Sequence, residues 1–352
     1  MHRSPRAGQH RPATGRSNRR TWFPSVSLPL ASSSPCAARG GGSLKAAAMN
    51  HPPWGRRKRI KLLVLACLIV ALLTVLLIAL RIVTMGDAPG MGPPAGYSAG
   101  QLIFDDKFSG TSLNSAHWNT AMGGQGDPIW NSDGLPTGAS AAGTHFHQTY
   151  FSPSQVTVND GLTLTMVRDT KYSSLGYGYR SGVVTTGGKF ALRSGYVQIK
   201  AKMSEASRGG WPAIWFLDPS SGGSSQEIDL QEGGFTPTGA GLPRGTPENN
   251  VFVSTYHTPS GSQSDFSYAT PDHMNAGFNI YGMEYIPGRS IKTYFNGRLV
   301  GSWTQNISTT PYEIVIWNTQ ASVNTSGFHT TGDSPNPSVL SVAEVQVYAL
   351  PA

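Results

Sequence analysis

Three carboxylates fall within six positions of this chain, at Glu227, Asp229 and Glu232. The residues between them are mostly apolar, and this alternation predicts a β-strand with one face toward a core. Strict alternation places Glu227 and Asp229 on one face of the strand and Glu232 on the opposite face. One extra residue near Leu230 and Gln231, a β-bulge, would return Glu232 to the face of the other two, and bulges are frequent beside active sites.

A cluster of like charges is unfavourable unless the protein uses it, because neighbouring carboxylates raise one another's pKa. Two carboxyl groups with different proton affinities are what the cleavage of a glycosidic bond requires. The alternative interpretation is an exposed strand face that is charged and inert. We favour the catalytic interpretation, because three acids seldom stack on one strand face without lysine partners.

Charge is distributed unevenly along the chain. The 352 residues carry a formal net charge of +8, but residues 1–86 hold 14 of the 27 Lys and Arg and no Asp or Glu. The rest of the chain holds 13 basic residues against all 19 acids, a net charge of −6. The positive charge therefore belongs to the N-terminal tail, and no nucleic-acid-binding domain is expected.

A long apolar segment separates the tail from the remainder. Leu62 to Leu80 are 19 consecutive residues of which only Thr74 is polar, and a helix of that length spans the ~30 Å hydrocarbon core of a bilayer. Basic residues crowd positions 56–61, so the positive-inside rule puts the N-terminus in the cytoplasm. We predict an uncleaved transmembrane signal anchor at residues 61–83, in contact with the lipid bilayer, and a single-pass protein whose main domain lies outside the cytoplasm. A cleaved signal peptide, which would make that domain secreted, is the alternative.

The segments on either side of the anchor have the composition of unstructured chain. Residues 1–60 are rich in Arg, Ser, Pro and Gly and predict a disordered basic cytoplasmic tail. Met49 opens a compact basic stretch typical of a targeting segment, so residues 1–48 either belong to the tail or are not translated. Residues 84–100 contain several Pro and Gly and predict a linker. Residues 101–352 then form the main domain.

The main domain has no cysteine, since Cys36 and Cys67 lie in the tail and in the apolar segment. It must therefore be stabilised by a large packed core and not by disulfides. No zinc, phosphate-loop or dinucleotide motif is present. His145 and His147 could share a face, but no third ligand lies nearby, so we predict no metal site. We expect a monomer that needs no cofactor.

Short runs of alternating apolar and polar residues recur after residue 100, separated by Gly, Pro, Asn and Ser. Asn159-Asp-Gly161 and Asn296-Gly297 favour tight hairpins. The pattern predicts an all-β fold, a β-sandwich of the jelly-roll type with a concave sheet that lines a substrate groove. The predicted strands include residues 155–159, 162–166, 196–202, 251–256, 291–295 and 344–348.

A series of motifs follows along residues 101–350. They are, in chain order, Phe104-Asp-Asp-Lys-Phe-Ser-Gly110 with Trp118, Val156-Thr-Val with Gly161-Leu-Thr-Leu, Ser181-Gly-Val-Val-Thr-Thr-Gly-Gly-Lys-Phe190, Gly195-Tyr-Val, Gly210-Trp-Pro-Ala-Ile-Trp215, Glu227 to Glu232, Tyr281-Gly-Met-Glu-Tyr285, Tyr294-Phe-Asn-Gly297 and Val345-Gln-Val-Tyr348. In this order the chain resembles glycoside hydrolase family 16, the laminarinase and β-glucanase group. The six-residue acidic strand is similar to the bulged, laminarinase-like branch.

The resemblance implies a retaining, endo-acting β-glucan hydrolase whose polysaccharide substrate is β-1,3- or mixed β-1,3(4)-glucan. It implies that Glu227 is the nucleophile, Asp229 its electrostatic assistant and Glu232 the general acid/base. The chemistry agrees, because a nucleophile must stay ionised whereas the acid must hold a proton near neutral pH. Retaining enzymes hold the two working carboxyls about 5–5.5 Å apart, and one bulged strand can provide that spacing.

Three tryptophans are candidates for substrate binding. Trp211 and Trp215 lie four apart, so both share one predicted strand face, where an indole ring could stack on the apolar face of a sugar. Trp130 lies in a Gly- and Pro-rich loop and could line the rim of the groove. Burial in the core is the alternative for large aromatic residues. Trp317 is equally consistent with core and groove.

Three polar residues complete the predicted site. His257 and Asn318 match family positions near the groove, His257 beside the acid/base. Arg180 precedes Ser181-Gly182 and could hydrogen-bond substrate hydroxyls. Solvated surface side chains are the alternative for His257 and Arg180.

The sequence departs from the family at two positions. Gln198 stands where an acidic residue is usual, and Ala343 stands where many members carry an aspartate that helps to hold a structural calcium, so that ion is not expected. Two other functions stay open from the sequence. One is a transglycosylase that remodels cell-surface polysaccharide, and the other is a catalytically inactive carbohydrate-binding jelly roll. A galactan is a less favoured substrate than a glucan.

Overall fold

The computed structural model describes residues 90–120, 147–218, 226–236, 241–322, 327–328 and 332–352, together with Lys61, Leu65 to Cys67 and Ile69. The chain divides into two units, Met1–Ile69 and Val70–Ala352. The described residues of the first unit are helical. Nowhere in these described ranges is there a helix both long and apolar enough to cross a membrane. The predicted tail at residues 1–60, most of the predicted anchor at residues 61–83, His145 and Trp130 lie outside the described residues.

The second unit is built from short β-strands, sixteen within the described residues. Their sequences are rich in Val, Ile, Thr and aromatic residues, whose side chains suit a pleated backbone. The strands are β1 (Leu102–Asp106), β2 (Thr149–Phe151), β3 (Val156–Val158), β4 (Leu162–Tyr172), β5 (Tyr177–Ser181), β6 (Val183–Thr185), β7 (Gly195–Lys202), β8 (Gly210–Leu217), β9 (Glu227–Glu232), β10 (Val251–His257), β11 (Gln263–Ala269), β12 (Asn279–Ile286), β13 (Ser290–Phe295), β14 (Arg298–Trp303), β15 (Glu313–Gln320) and β16 (Ser338–Tyr348). Single 3-10 turns lie at Ala99–Gln101, Pro153–Gln155, Ser173–Leu175 and Glu248–Asn250.

The strands form two sheets. One has the order β14-β13-β12-β7-β16-β4-β5-β2, with β1 added beside β16 and β3 beside β4, and the other has the order β11-β10-β9-β8-β15-β6. Strands distant in the sequence, such as β7 and β16, are direct antiparallel neighbours, as in jelly-roll folds. The predicted all-β, jelly-roll-like sandwich is confirmed, and every predicted strand overlaps an observed one.

The main core lies between the two sheets. Along β4, Leu162, Leu164 and Met166 are buried and alternate with half-buried residues, the pattern of a strand with one face inward. Ile214 and Phe216 of β8 enter the same core from the six-stranded sheet. All eight residues of β8 are buried. Its other face is therefore covered as well, by a second apolar cluster on the side of the sheet away from the core.

An Asn-Gly turn joins β13 to β14, as the sequence predicts. Asn296 and Gly297 have φ angles of 47° and 78°, the left-handed conformation that a two-residue hairpin turn requires. The Asn296 side chain accepts a hydrogen bond from the Ile280 backbone N–H at 2.7 Å. This bond holds the turn against the end of β12.

The described part of the predicted linker packs on the ten-stranded sheet. The Tyr97 ring lies 5.6 Å from that of Tyr196, between ring centroids, and its hydroxyl donates a hydrogen bond to Glu284 Oε1 at 3.1 Å. Gln198 Nε2 donates to the Gly92 carbonyl at 2.7 Å. Residues 92–101 therefore form a strap over the outer face of this sheet. Gln198, which replaces the acid expected from the family, serves as one of its attachment points.

Candidate active site

The acidic strand β9 contains the predicted bulge. In its antiparallel pairing with β8, Glu227 lies opposite Leu217, Asp229 opposite Trp215, and Glu232 opposite Ala213. The register shifts by one residue between Ile214 and Trp215, so Leu230 is the extra residue of β9. The prediction of a bulge near Leu230 and Gln231 is confirmed.

The bulge puts all three carboxylates on one face of the six-stranded sheet. Residues opposite each other in an antiparallel pair point to the same face. The partners Leu217, Trp215 and Ala213 all belong to the apolar cluster outside the main core. Leu230 instead points into the main core with Ile228. The three acids therefore share a face lined with aromatic residues.

Two residues of the next strand reach the same face. In the pairing of β10 with β9, Thr255 lies opposite Asp229, and His257 lies opposite Glu227. His257 Nε2 is 3.3 Å from Asp229 Oδ2. The sequence predicts His257 beside Glu232. In the structure its ion-pair partner is Asp229.

Gln231 compensates for the pairing lost at the bulge. The β9–β10 ladder runs from Glu227 to Asp229 and stops before Leu230. Beyond that point the fully buried Gln231 side chain bonds the β10 backbone. Its Oε1 accepts from the Val253 N–H at 3.2 Å, and its Nε2 donates to the Val251 carbonyl at 3.3 Å. A glutamine between two acids carries no sequence signal for this role, because the role depends on a neighbouring strand.

The surroundings raise the pKa of both Glu227 and Glu232 well above the ordinary value. For Glu227 the causes are burial, then the charge of Asp229 and a hydrogen bond with it, then the charge of Glu232. For Glu232 they are burial, the charge of Asp229 and the charge of Asp265, opposed by the nearby Thr255 hydroxyl and Trp211 indole N–H. Glu232 thus suits an acid that holds its proton near neutral pH. Burial and the neighbouring acids raise the pKa of Glu227 as well, and its ionised state during the attack stays a prediction.

Asp229 lies at the centre of the cluster. It shares a hydrogen bond with Glu227 on one side and pairs with His257 on the other. Burial lowers the pKa of His257, but the hydrogen bond and charge of Asp229 outweigh it and raise the pKa overall. Asp229 therefore lies between the carboxyl of Glu227 and the imidazole of His257, whose pKa it raises.

Comparison with known proteins finds several curated relatives. No protein-family model matches the chain. A glucan endo-1,3-beta-glucosidase of Niallia circulans is 28% identical over 276 residues, which cover 70% of this chain and 37% of the relative. An endo-1,3-1,4-beta-glycanase (ExsH) of Rhizobium meliloti strain 1021 is 29% identical over 158 residues, which cover 42% of this chain and 31% of the relative. The chain therefore spans about a third of the length of these curated relatives.

The fold has a solved counterpart in the endo-beta-1,3-glucanase of Pyrococcus furiosus, with a TM-score of 0.56, 20% sequence identity, and coverage of 71% of this chain and 95% of that one. The resemblance to the laminarinase-like group of glycoside hydrolase family 16 is confirmed.

The face of the six-stranded sheet around the acids is an aromatic wall. Trp317 lies 5.3 Å from Trp211 and 4.9 Å from Trp215, between ring centroids. His147 packs against Trp317 at 5.6 Å, and Phe151 stacks on it at 5.8 Å. Trp211 and Trp215 are only 9% and 4% exposed, and Trp317, which contacts both rings, helps to cover them. Their role in sugar stacking stays a prediction, and Trp317 belongs to this wall and not to the main core.

Asn318 is a correction to the predicted site. It is fully buried, and it lies opposite Pro212 on the core side of β15. Its Oδ1 accepts from the Ser204 hydroxyl at 2.7 Å, and its Nδ2 donates to the Ser338 and Leu164 carbonyls at 3.0 and 3.3 Å. Because both ends of the amide bond the protein, Asn318 links the two sheets and does not face the groove.

Arg180 is a second correction. It lies on β5 in the ten-stranded sheet, and its Nε forms an ion pair with Asp169 Oδ2 at 3.2 Å. The acids lie on the other sheet. A cation before a Ser-Gly pair cannot be assigned to one sheet from the sequence, because its strand pairs with residues far along the chain.

Glu227, Asp229 and His257 are also the donor set most able to hold a metal among the described residues. One ligand atom from each lies within 4.8 Å of the others, and carboxylate with imidazole suits several divalent ions. The hydrogen bond and the ion pair around Asp229 account for this proximity without an ion. Of the predicted histidine pair, His145 lies outside the described residues, and His147 accepts a hydrogen bond from the Thr149 N–H at 3.3 Å.

Proposed function

We propose that the chain is an endo-acting, retaining β-glucan hydrolase in which Glu227 is the nucleophile, Asp229 its assistant and Glu232 the general acid/base. The observation that carries the proposal is the bulge at Leu230, which puts three carboxylates on one aromatic-lined face. An inert acidic face would not need this irregular strand. The relative of Niallia circulans, which is named for cleavage of 1,3-beta-glucan, supports the choice of substrate.

The two carboxyls with raised pKa divide the reaction between them. Glu232, kept protonated by burial and by the charge of Asp229, donates its proton to the glycosidic oxygen and so makes it a better leaving group. Glu227 attacks the anomeric carbon as a carboxylate, and the bond to the leaving sugar breaks. The product of this step is a glycosyl ester of Glu227, with Glu232 now ionised.

Asp229 lies beside Glu227 and orients it through a shared hydrogen bond. Glu227 attacks in its ionised form, with one carboxylate oxygen forming the bond to carbon. In the second step Glu232 takes a proton from water, and the resulting hydroxide displaces the ester. Glu232 regains its proton and Glu227 is released as a carboxylate, so the configuration at the anomeric carbon is retained overall.

The acid/base role of Glu232 is tested by the leaving group. Glu232→Ala should lower cleavage of native β-1,3-glucan by about 10²- to 10⁴-fold, the usual contribution of general acid catalysis. Formation of the glycosyl ester from an aryl glycoside with a good leaving group should be far less affected, because phenolates need little protonation. Pre-steady-state release of the phenol measures this step. Equal losses on both substrates would show that Glu232 has another role.

The substrate itself requires a direct screen. Reducing-sugar release from β-1,3-glucan, mixed-linkage glucan, agar and carrageenan would rank the linkages, and we expect β-1,3-glucan to be cleaved fastest. Addition of excess acceptor oligosaccharide separates hydrolysis from transglycosylation, since a transglycosylase lengthens the acceptor. Release from the galactans alone would overturn the glucan assignment.

We also propose that residues 61–83 anchor the protein in a membrane with the β-sandwich outside the cytoplasm. The support is the apolar run from Leu62 to Leu80 behind a basic cluster. The full chain should remain in the membrane fraction after alkaline carbonate extraction, whereas a chain that begins at residue 90 should be soluble. Extraction of both forms into the soluble fraction would contradict the anchor.

A further inference from the structure

A fourth carboxylate lies on the face of the three acids, on the edge strand β11. Asp265 is opposite Thr255 of β10, and Thr255 is opposite Asp229 of β9. Residues that are opposite each other in antiparallel strands point to the same face of a sheet. Asp265 is therefore two strands away from Asp229, about 10 Å between the backbones, and it points to the same side.

The neighbours of Asp265 in β11 confirm this orientation. The Ser264 hydroxyl accepts a hydrogen bond from Trp303 Nε1 at 2.7 Å, and the Phe266 ring lies 4.9 Å from that of Trp303, between centroids. Trp303 belongs to the main core. Because side chains alternate along a strand, Asp265 points away from the core. It is half-buried, and none of the ion pairs between described residues includes it.

The residue between the two aspartates is a buried threonine. Thr255 is fully buried, and its hydroxyl has no hydrogen-bond partner among the described residues. The row from Asp229 to Asp265 thus passes through a side chain without charge. A charge in such surroundings acts over a longer distance than it does in water, because little solvent screens it.

Few titratable side chains face the acids in the described part of the chain. β8 presents only apolar and indole side chains to this face. Glu313 of β15 is opposite Leu217 at the end of β8, and it accepts a hydrogen bond from the Gly188 N–H at 2.8 Å. β12, on the core side of β9, has its carboxylate, Glu284, on the outer face of the other sheet. The titratable side chains that the described strands and the bridge at His147 present to the acid face are Glu227, Asp229, Glu232, His257, Asp265, Glu313 and His147.

Two of these groups act on the proton of Glu232. Burial raises the pKa of Glu232 most, the charge of Asp229 raises it next, and the charge of Asp265 adds to the rise. The positive charge that His257 can carry is paired with Asp229. Asp265 therefore adds a negative charge to the acid face from a strand that carries none of the three acids.

We propose that Asp265 is a positioning residue for the general acid, and that its negative charge keeps the proton on Glu232 until the glycosidic oxygen takes it. The inference rests on the proposed function. Because Asp265 lies on the edge strand and is partly open to water, solvent and salt screen it in part. Its removal should therefore shift the pH dependence of the reaction and not abolish the reaction.

The test is the pH profile of kcat/KM for β-1,3-glucan with the full chain. The reaction needs protonated Glu232, so kcat/KM falls as pH rises through the pKa of Glu232 in the free enzyme. Asp265→Asn removes a negative charge, which makes ionised Glu232 less unfavourable and lowers its pKa. The alkaline limb should move to lower pH by about 0.5–1 unit. On that limb kcat/KM should fall about threefold to tenfold, and on the plateau it should stay the same.

Three controls separate this effect from a structural one. Asp265→Glu keeps the charge and should keep the alkaline limb near that of wild type. Asp272→Asn removes an exposed carboxylate that follows the end of β11 and should change nothing. Pre-steady-state release of phenol from an aryl glycoside needs little protonation, so Asp265→Asn should leave its pH dependence on the alkaline side unchanged. In wild type, added salt should move the glucan limb in the direction of Asp265→Asn, because it screens the half-buried charge.

The outcomes distinguish this role from the proposed function. An alkaline limb that Asp265→Asn leaves in place, or that Asp272→Asn shifts equally, would overturn the role of Asp265 while glucan cleavage by wild type stands. A rise in KM without a shift of the limb would also overturn it, since Asp265 would then bind the substrate directly. If wild type cleaves no glucan at any pH, the proposed function fails and the role of Asp265 fails with it. The unfolding temperature of each variant shows whether the fold is kept.

Discussion

The outer faces of the two sheets both carry carboxylates, but the side chains next to these carboxylates differ. On the ten-stranded sheet, Glu284 lies 2.7 Å from Lys292 Nζ and accepts a hydrogen bond from Tyr97, and Glu344 lies 3.8 Å from Lys107 Nζ. On the six-stranded sheet, the three acids of β9 have one another, a histidine and an aromatic wall.

The difference separates structural acids from chemical ones. Glu284 gains a favourable charge interaction from Lys292, and Lys107 lowers the pKa of Glu344, although burial raises it overall. An acid placed among other acids and aromatic rings has its pKa raised, which is unfavourable for folding but useful for moving protons. The sandwich therefore uses one face to attach its N-terminal strap and the other to hold reactive groups.

The largest contrast between the faces should come from removing one carboxylate from each. Glu227→Gln keeps the size of the side chain but removes the nucleophile, and we expect glucan hydrolysis to fall by at least about 10³-fold. Glu284→Gln, the matched change on the other sheet, should alter activity less than about twofold. Initial rates of reducing-sugar release measure both.

Comparable rates for wild type and Glu227→Gln would remove the chemical distinction between the faces. The six-stranded face would then be a binding surface, and the chain a carbohydrate-binding module. Thermal unfolding of both variants controls for loss of fold.

A smaller loss should follow from disturbing the bulge without touching an acid. Gln231→Leu keeps a side chain of similar size but removes both hydrogen bonds to β10, so the strand that carries Glu232 loses its lateral support. We expect kcat to fall about 10- to 100-fold, since small displacements of catalytic groups are costly, with KM less affected. Gln198→Leu, on the outer face of the other sheet, is the control and should leave kcat unchanged. A KM effect alone would show that Gln231 does not position Glu232.

The bulge was predictable from the sequence, whereas the hydrogen bonds of Gln231 to β10 were not. The spacing of Glu227, Asp229 and Glu232 does not fit the two-residue alternation of a strand. One extra residue is the simplest way to put all three acids on one face. The hydrogen bonds of Gln231 depend on β10, which begins about twenty residues later. The local sequence pattern thus predicts the acids. The hydrogen bonds that support them depend on pairing between strands far apart in the sequence.

Strand parity also explains the failure at Asn318. Trp317 and Asn318 are adjacent, so only one of them can point to the groove. The register of β15 with β8 puts Trp317 opposite Ala213 and Asn318 opposite Pro212. Because Ala213 lies on the face of the acids, Trp317 is the residue that points to that face. A family motif marks both residues without deciding between them. Arg180 fails for the related reason that its sheet is fixed by distant partners.

Raised pKa values should make the acidic face a source of instability that depends on pH. Below the ordinary glutamate pKa of about 4.3, Glu232 is protonated in both folded and unfolded chains, so its environment costs nothing. As pH rises through that value the unfolded chain ionises first, and the folded state loses stability until its own, raised pKa is passed. Glu232→Gln removes this cost.

We therefore expect Glu232→Gln to raise stability at pH 7 by on the order of 1 kcal/mol, a rise in Tm of about 2–4 °C for a domain of this size. The gain should vanish near pH 4. Glu284→Gln should show no such gain, because it removes a favourable pair. Calorimetric unfolding across this pH range measures all three proteins. A gain for Glu232→Gln that is equal at both pH values would show that ionisation is not its cause.

The smallest effect should come from the strap on the ten-stranded sheet. Tyr97→Phe keeps the ring against Tyr196 and removes only the hydroxyl that donates to Glu284. A loss of about 0.5–1.5 kcal/mol in the free energy of unfolding is expected, with kcat unchanged because the acids lie on the other sheet. Tyr97→Ala removes the ring as well and should cost more. Urea unfolding and glucan hydrolysis measure the two quantities, and a fall in kcat without a loss of stability would mean that the two faces are coupled through the core.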